Sequence, residues 1–444
     1  MSSSATGHRR IDRAIGALAF PALGALIAEP LFLIADSAMI GHLGASPLAG
    51  LAVAGAILQT AVGLMVFLAY STTPLVARRR GAGDLTGAVQ AGIDGLWLAL
   101  GIGIVVGGLL WALTDPLVAA FDLDAATAVH ARTYLAISCL GVPAMLLVFA
   151  ASGLLRGLMD TRTPLIVATI AFAANVVLNW VFIYVLGWGV AGSAWGTVIA
   201  QWGMVAVYLA VIARHAKRAG VGPLPHRDGL GHAGRSGGWL FIRTIGLRAA
   251  LLATLFAATS HGTAATAGYQ VVFTIFSTAA FALDALAIAA QALVGEAHGS
   301  RDEARARAVV KRCIFWAVGC GVGIGVVLAA TSPVIGRVFT NDAAVLAMLP
   351  AAILTLGISL PLGGFVFVLD GVLMGAGDAR YLAWTSLVNL AVYLPALWAL
   401  TTAAPAGTAG LVALTAGFTI VFMLARAVTL GLRARGDRWL VLGA

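Results

Sequence analysis

The chain has 444 residues, of which 61% are hydrophobic and 10% charged, with a formal net charge of +9 and a mean hydropathy of +0.98. That balance is too apolar for a soluble fold that hides its hydrophobic residues in one core, and it marks an integral membrane protein. A nucleic-acid partner, which the positive charge alone would allow, needs Lys and Arg gathered on one folded face; here they punctuate apolar runs instead.

The N-terminal MSSSATGHRRIDR is basic, but the apolar run after it is too long for a signal-peptide core, and no small-residue cleavage site precedes the next span. It is expected to remain as the first helix. A bilayer-spanning helix needs about 20 apolar residues. Cutting at charged and Gly/Pro-rich breaks predicts spans at 13–36, 47–73, 88–112, 130–157, 164–186, 190–212, 237–260, 265–293, 308–332, 347–375, 381–403 and 406–430. With these twelve, Arg9, Arg10, Arg13, the Arg78-Arg79-Arg80 run, Arg156, Arg162, the basic residues from Arg214 to Arg235, those from Arg301 to Arg312, Arg380, and Arg433 to Arg438 fall on one side. Only Arg132 and Arg337 fall on the other. The positive-inside rule makes the rich side, with both termini, cytoplasmic.

The chain also repeats itself. GLLRGLMDTR starting at Gly153 returns as GVLMGAGDAR starting at Gly371, and LVARRRGAGD from Leu75 returns as LVGEAHGSRD from Leu293, both displaced by 218 residues. Gly44 with Gly262 and Gly50 with Gly268 keep the same displacement. A constant offset over six spans, an even number, makes the two halves parallel rather than inverted. The expected fold is therefore an all-α membrane protein of two six-helix lobes, residues 11–212 and 237–432. They are joined by a Pro- and Gly-containing cytoplasmic linker at 213–236. Such repeats favour a cavity between lobes and alternating access.

Ionisable groups at membrane depth are rare and face protein or a water-filled cavity. The candidates are Glu29, Asp36, Asp94, Arg248, Asp284 and Asp370. Asp94, Asp284 and Asp370 fall near the cytoplasmic ends of their helices, where a structural or gate-locking role suits them. Glu29 and Arg248 sit at nearly equivalent depths in the two repeats, which suits either a tie or a share in the cavity lining. Asp36 stands apart, because its repeat counterpart is Thr254. A purely architectural acid would be expected twice, whereas an ion-coupling acid need occur once. Asn175 and Asn179, one turn apart in AANVVLNW, share a helix face. They either line a polar pocket with Asp36 or glue helices together, and Thr197 can join them.

Three cysteines show no metal-ligand spacing and imply no disulfide. The Gly-rich GIGIVVGG from Gly101 follows no strand and precedes no Walker Lys, so it reads as close helix packing rather than a nucleotide loop. No HExxH helix or similar catalytic set appears, and the chain is not expected to be an enzyme.

Several motifs resemble the multidrug and toxic compound extrusion (MATE) transporters, particularly the branch named for the DNA-damage-inducible protein F. They are ADSAMIGHLG at the end of the first span, RGLMDTRTP and MGAGDAR after the fourth and tenth, NVVLNWVFIYVLGWGVAGSAWGT across the fifth and sixth, and LDALAIAAQALVG in the eighth. The resemblance covers essentially the whole chain. It implies an antiporter in the cell (plasma or inner) membrane, acting as a monomer without a cofactor. Such a transporter expels small organic, often cationic or amphipathic, compounds in exchange for H+ or Na+. It further implies that Asp36 couples the ion, that Asn175 and Thr197 are its polar partners, and that Pro21 is where the first helix bends. The chain departs from the pattern at Asn179, where some proton-coupled members carry an Asp. It also lacks the second-lobe acids of the Na+-dependent branch at the matching positions, which favours H+. Na+ coupling, or export of lipid-linked precursors, is the alternative.

Overall fold

Among the described residues, twelve helices are long and apolar enough to cross a membrane. In order they are α1 Gly7–Gly41, α2 Ala45–Gly81, α3 Leu85–Ala112, α4 Ala125–Gly157, α5 Arg162–Val185 and α6 Gly189–Ala219 in the first repeat. The second repeat holds α7 Arg227–Thr259, α8 Thr263–Gly299, α9 Glu303–Val338, α10 Ala343–Gly375, α11 Ala379–Ala403 and α12 Thr408–Arg435. The structure, a computed structural model, describes residues 2–405 and 407–443; the side chains of residues 2–6 and of Glu29 lie outside the described residues. Among the described residues there is no strand.

All twelve expected spans are present, and most run further than hydropathy alone extends them. Their polar ends continue as helix because Arg, Lys and Glu are good helix formers, and chemical caps rather than hydropathy stop them. The Asp84 carboxylate accepts from Gly87 N at 2.7 Å to start α3, and Asp302 accepts from Arg305 N at 2.9 Å to start α9. Asp124 and Asp342 cap α4 and α10 in the same way, through Thr127 N at 3.0 Å and Val345 N at 3.1 Å. Each pair is 218 residues apart. The α1–α2 and α7–α8 turns use Gly44 and Gly262, with φ of 128° and 94°, a backbone that a side chain would strain.

The repeat extends to how helices touch. A Cβ on Gly103 would lie 2.6 Å from Cα of Pro143, and one on Gly321 would lie 2.9 Å from Cα of Pro361. Gly107 faces the Cys139 carbonyl where Gly325 faces that of Gly357, and Gly153 faces Ala69 where Gly371 faces Ala287. Every partner keeps the 218-residue displacement. The glycines thus set α3 against α4, α9 against α10, and α2 and α8 against the same two helices at backbone distance.

By contacts the chain divides into two units, one of Phe20–Gly237 and one of Met1–Ala19 with Gly238–Ala444. The sequence expectation of a first lobe beginning at residue 11 therefore differs at the start of α1. Within that second unit Arg312 holds Asp12 through two bonds of 2.8 and 2.7 Å, and Trp316 Nε1 adds a third at 2.9 Å. The linker is also shorter than expected, since α6 runs to Ala219 and α7 starts at Arg227. Gly220, in the left-handed conformation with φ of 68°, ends α6. A short helix, Thr114–Ala119, lies between α3 and α4 where loop was expected.

Candidate functional site

Asp36 lies near the end of α1 and is 3% exposed. Three donors from three other helices converge on it. Asn179 on α5 donates from Nδ2 to one carboxylate oxygen; Thr197 on α6 donates to the other at 3.2 Å and Tyr134 on α4 at 3.4 Å. Asn175, one turn before Asn179, donates to Thr197 Oγ1 at 3.0 Å, which orients that hydroxyl. Both asparagines are fully buried. The structure therefore brings together Asp36, Asn175, Asn179 and Thr197 as one network, in the unit Phe20–Gly237.

Two local features place these groups. Gly196, one residue before Thr197, carries no side chain where a Cβ would strike the Asn179 amide, so α6 can approach α5 closely. Directly after Asn179, Val181–Val185 winds as a π-helix, closed by Leu186 N to Val181 O at 2.9 Å. A π turn shifts the register of side chains beyond it, and such turns concentrate at functional sites. Tyr134 escaped the sequence reading. The available signal was a phenol inside an apolar span, which needs a hydrogen-bond partner when buried.

The donors around Asp36 are all neutral. Among the described residues no Lys, Arg or His reaches its carboxylate. Asn179 Oδ1, buried beside it, has no hydrogen-bond partner among the described residues. An acceptor left in that state leaves room for one more donor or cation in the network. The oxygens of Asp36, Thr197, Tyr134 and Asn179 are also the hard ligands that a small cation such as Na+ takes.

The unit containing α8 to α12 carries a different polar centre. Asp370 on α10, 5% exposed, is gripped by Arg243 of α7, whose Nε lies 3.2 Å from one oxygen and whose Nη2 meets the other, and by Arg426 of α12. The arginines had not been singled out from sequence, because each follows or precedes a polar stretch near a span's end. The repeat counterparts of Arg243, Asp370 and Arg426 are Ala25, Ser152 and Tyr208, so this centre occurs once. At the positions matching Asp36 and Asn175 stand Thr254 and Tyr393, joined by a 2.6 Å hydroxyl contact. One repeat thus holds an unpaired acid, and the other a neutral pair.

The remaining candidates fall elsewhere. Asp94 on α3 accepts from Gln90 Nε2 at 2.9 Å and from His226 N at 2.8 Å. With Trp97 Nε1 donating to Pro223 O at 2.9 Å, it ties the linker down. Asp284 on α8 is half-buried and acts on Arg426, and Arg248 is exposed. The Glu29 side chain lies outside the described residues. Pro21 and Pro30 are both inside α1, which stays helical through them.

A twelve-helix membrane fold built as a duplicated six-helix unit, with a buried acid held by neutral donors alone, defines the class: a transporter. The sequence profile of the MatE family matches residues 21–181 and 248–398, one segment in each repeat, and the chain belongs to that family of MATE transporters. It is similar to Protein DETOXIFICATION 44, chloroplastic, of Arabidopsis thaliana, at 30% identity over 91% of this chain and 79% of that one. It is likewise 30% identical to the DNA damage-inducible protein F of Escherichia coli (strain K12), over 66% of this chain and 64% of the relative, which supports the branch expected from the motifs. The fold matches the Vibrio cholerae MATE transporter VcmN in its bent form with a TM-score of 0.88 at 21% identity, covering 98% of this chain and 99% of that one. Members of the family are transporters and not enzymes.

Proposed function

We propose that this protein is a proton-coupled antiporter that exports small organic, often cationic or amphipathic, compounds, with Asp36 as the coupling group. The carrying observation is the contrast between two equally buried acids. Asp370 is held between two guanidiniums and has its counter-charge in place, whereas Asp36 has only neutral donors. An acid without a counter-ion in a dry surrounding is the one that gains most from taking up a proton. Loading it removes the negative charge that attracts a cationic substrate and changes which hydrogen bonds the network can make. A proton moves the transport cycle only by binding its states unequally. Pro21 supplies a weak point for such a change, because proline removes a helix hydrogen bond; the division between the two contact units falls beside it, after Ala19.

The reading places the protein in the cell membrane as a monomer with both termini in the cytoplasm, as the Lys and Arg distribution favours. The oxygen set around Asp36 also supports Na+ as the coupling ion. Purified protein in liposomes, with a fluorescent organic cation and an imposed pH or Na+ gradient, separates the two. The pH gradient is expected to drive export by wild type, and Asp36→Asn is expected to reduce it to the leak of empty liposomes. Full export by Asp36→Asn would refute the coupling role, and export driven by Na+ alone would transfer that role to the metal ion.

A further inference from the structure

A second feature, remote from Asp36 in sequence and composed of other residues, lies where α9, α10, α12 and the C-terminal tail meet. There a cleft of about 570 Å³ opens, walled by Ile314, Phe365, Leu369 and Leu432 and rimmed by Arg307, Lys311 and Arg435. The tail builds one wall. Trp439 is buried, its ring 5.4 Å from that of His298; its carbonyl lies 3.2 Å from His298 Nε2, and its indole donates to Ala434 O at 3.1 Å. Gly443 N donates to His298 O at 2.9 Å and completes the fold-back.

The three cations are not equivalent. Arg307 is engaged by Glu303 at 2.8 Å and Asp437 at 2.5 Å. Lys311 and Arg435 are exposed, and among the described residues neither joins an ion pair. Lys311 lies one turn before Ile314 on α9, and Arg435 is the last residue of α12, one turn beyond Leu432. Arg435 therefore stands at the end of α12 and Lys311 about two turns inside the start of α9, and the apolar walls lie deeper along the same faces. Leu432 is 64% exposed, so the cleft is open on its flank.

We propose that this cleft binds one anionic phospholipid of the surrounding bilayer, its phosphate on Lys311 and Arg435 and an acyl chain along Ile314, Phe365 and Leu432. Charge complementarity selects the occupant: two uncompensated cations above an apolar wall at a membrane boundary match a negative headgroup joined to a hydrocarbon chain. Neither a soluble anion nor an uncharged lipid uses both halves. The proposal requires only that the chain sits in a membrane, and it stands whether or not Asp36 carries a proton.

Full-length protein in a neutral detergent is titrated with phosphatidylglycerol, with phosphatidylcholine of the same chains, and with glycerol 3-phosphate, and bound lipid is counted by native mass spectrometry. Phosphatidylglycerol is expected to bind at one site in preference to phosphatidylcholine. Lys311→Gln with Arg435→Gln weakens it about 25-fold, roughly fivefold per basic group lost. Gly431→Leu, which fills the cleft without changing charge, is expected to weaken it as well. Both charged side chains are exposed, so the double variant should fold, and an unchanged melting temperature without lipid checks this. Equal binding of the two lipids, undiminished binding by the double variant, retention in Gly431→Leu, or equal binding of glycerol 3-phosphate would each overturn the proposal.

Discussion

At the scale of single residues, what separates two buried acids is their company, and that difference predicts opposite phenotypes. Asp370→Asn removes a buried carboxylate that bonds both Arg243 and Arg426, taking its counter-charge from two buried guanidiniums. Breaking a buried ion pair from one side costs about 3–5 kcal/mol. Asp36→Asn strands no charge: it turns one acceptor oxygen into a donor, which the unpartnered Asn179 Oδ1 can take up if that amide turns over; its cost should be about 1 kcal/mol. Thermal unfolding of the detergent-solubilised protein, followed by tryptophan fluorescence, is expected to show a large fall for Asp370→Asn and little change for Asp36→Asn. Similar falls for both would mean that Asp36 is as structural as Asp370. Much of the site was legible beforehand because oxygen and amide atoms stand out in an apolar run: Asp36, Asn175, Asn179 and Thr197 all belong to one network. Tyr134, Arg243 and Arg426 were not legible. A tyrosine or arginine near a helix end has a bland explanation in the interface, and only the fold shows that these three turn inward.

At the scale of helices, hydropathy locates a span but caps end it. The twelve apolar centres were therefore readable and the ends were not: α6 continues through Arg214, Lys217 and Arg218 until Gly220 stops it. The glycine pattern carries finer information. Gly101 and Gly103 belong to one run, yet a Cβ at Gly101 meets nothing within 4 Å, whereas one at Gly103 lies 2.6 Å from the Pro143 backbone. Gly103→Ala should therefore force α3 and α4 apart at a cost of about 1–3 kcal/mol. Gly101→Ala should gain up to about 1 kcal/mol by favouring helix. The matching substitutions at Gly321 and Gly319 should follow suit, since Gly319 is open and Gly321 is pressed against Leu360 and Pro361. Melting temperatures of the four single variants check this, and a stable Gly103→Ala would show that the contact relaxes at little cost.

At the scale of the whole molecule, duplication supplied two copies of one helical unit, and substitution then gave each copy its own polar centre. The frame was visible in the sequence because caps, turns and contact glycines must be retained for either copy to fold, and they kept their 218-residue displacement. The division of labour was only half visible, since the lone Asp36 could be read but the use of Thr254 and Tyr393 could not. Duplication raises the question whether the second copy could take over the coupling role. Placing Asp at position 254 in an Asp36→Asn background restores a carboxylate at the equivalent point of α7. The amide donors do not follow it: where the first copy has Tyr134, Asn175 and Asn179, the second has Ala352, Tyr393 and Leu397, so that Tyr393 offers a hydroxyl and Thr415 matches Thr197 but no asparagine stands at either amide position. Without the Asn179 amide that donates to Asp36, a carboxylate there meets a different set of donors and is not expected to reproduce the coupling. The combined Asp36→Asn and Thr254→Asp protein is therefore expected to unfold near the wild-type temperature and to show no export driven by a pH gradient in liposomes. Recovery of even a tenth of the wild-type rate would mean that a bare acid at this depth suffices for coupling and that the three-helix donor network is dispensable.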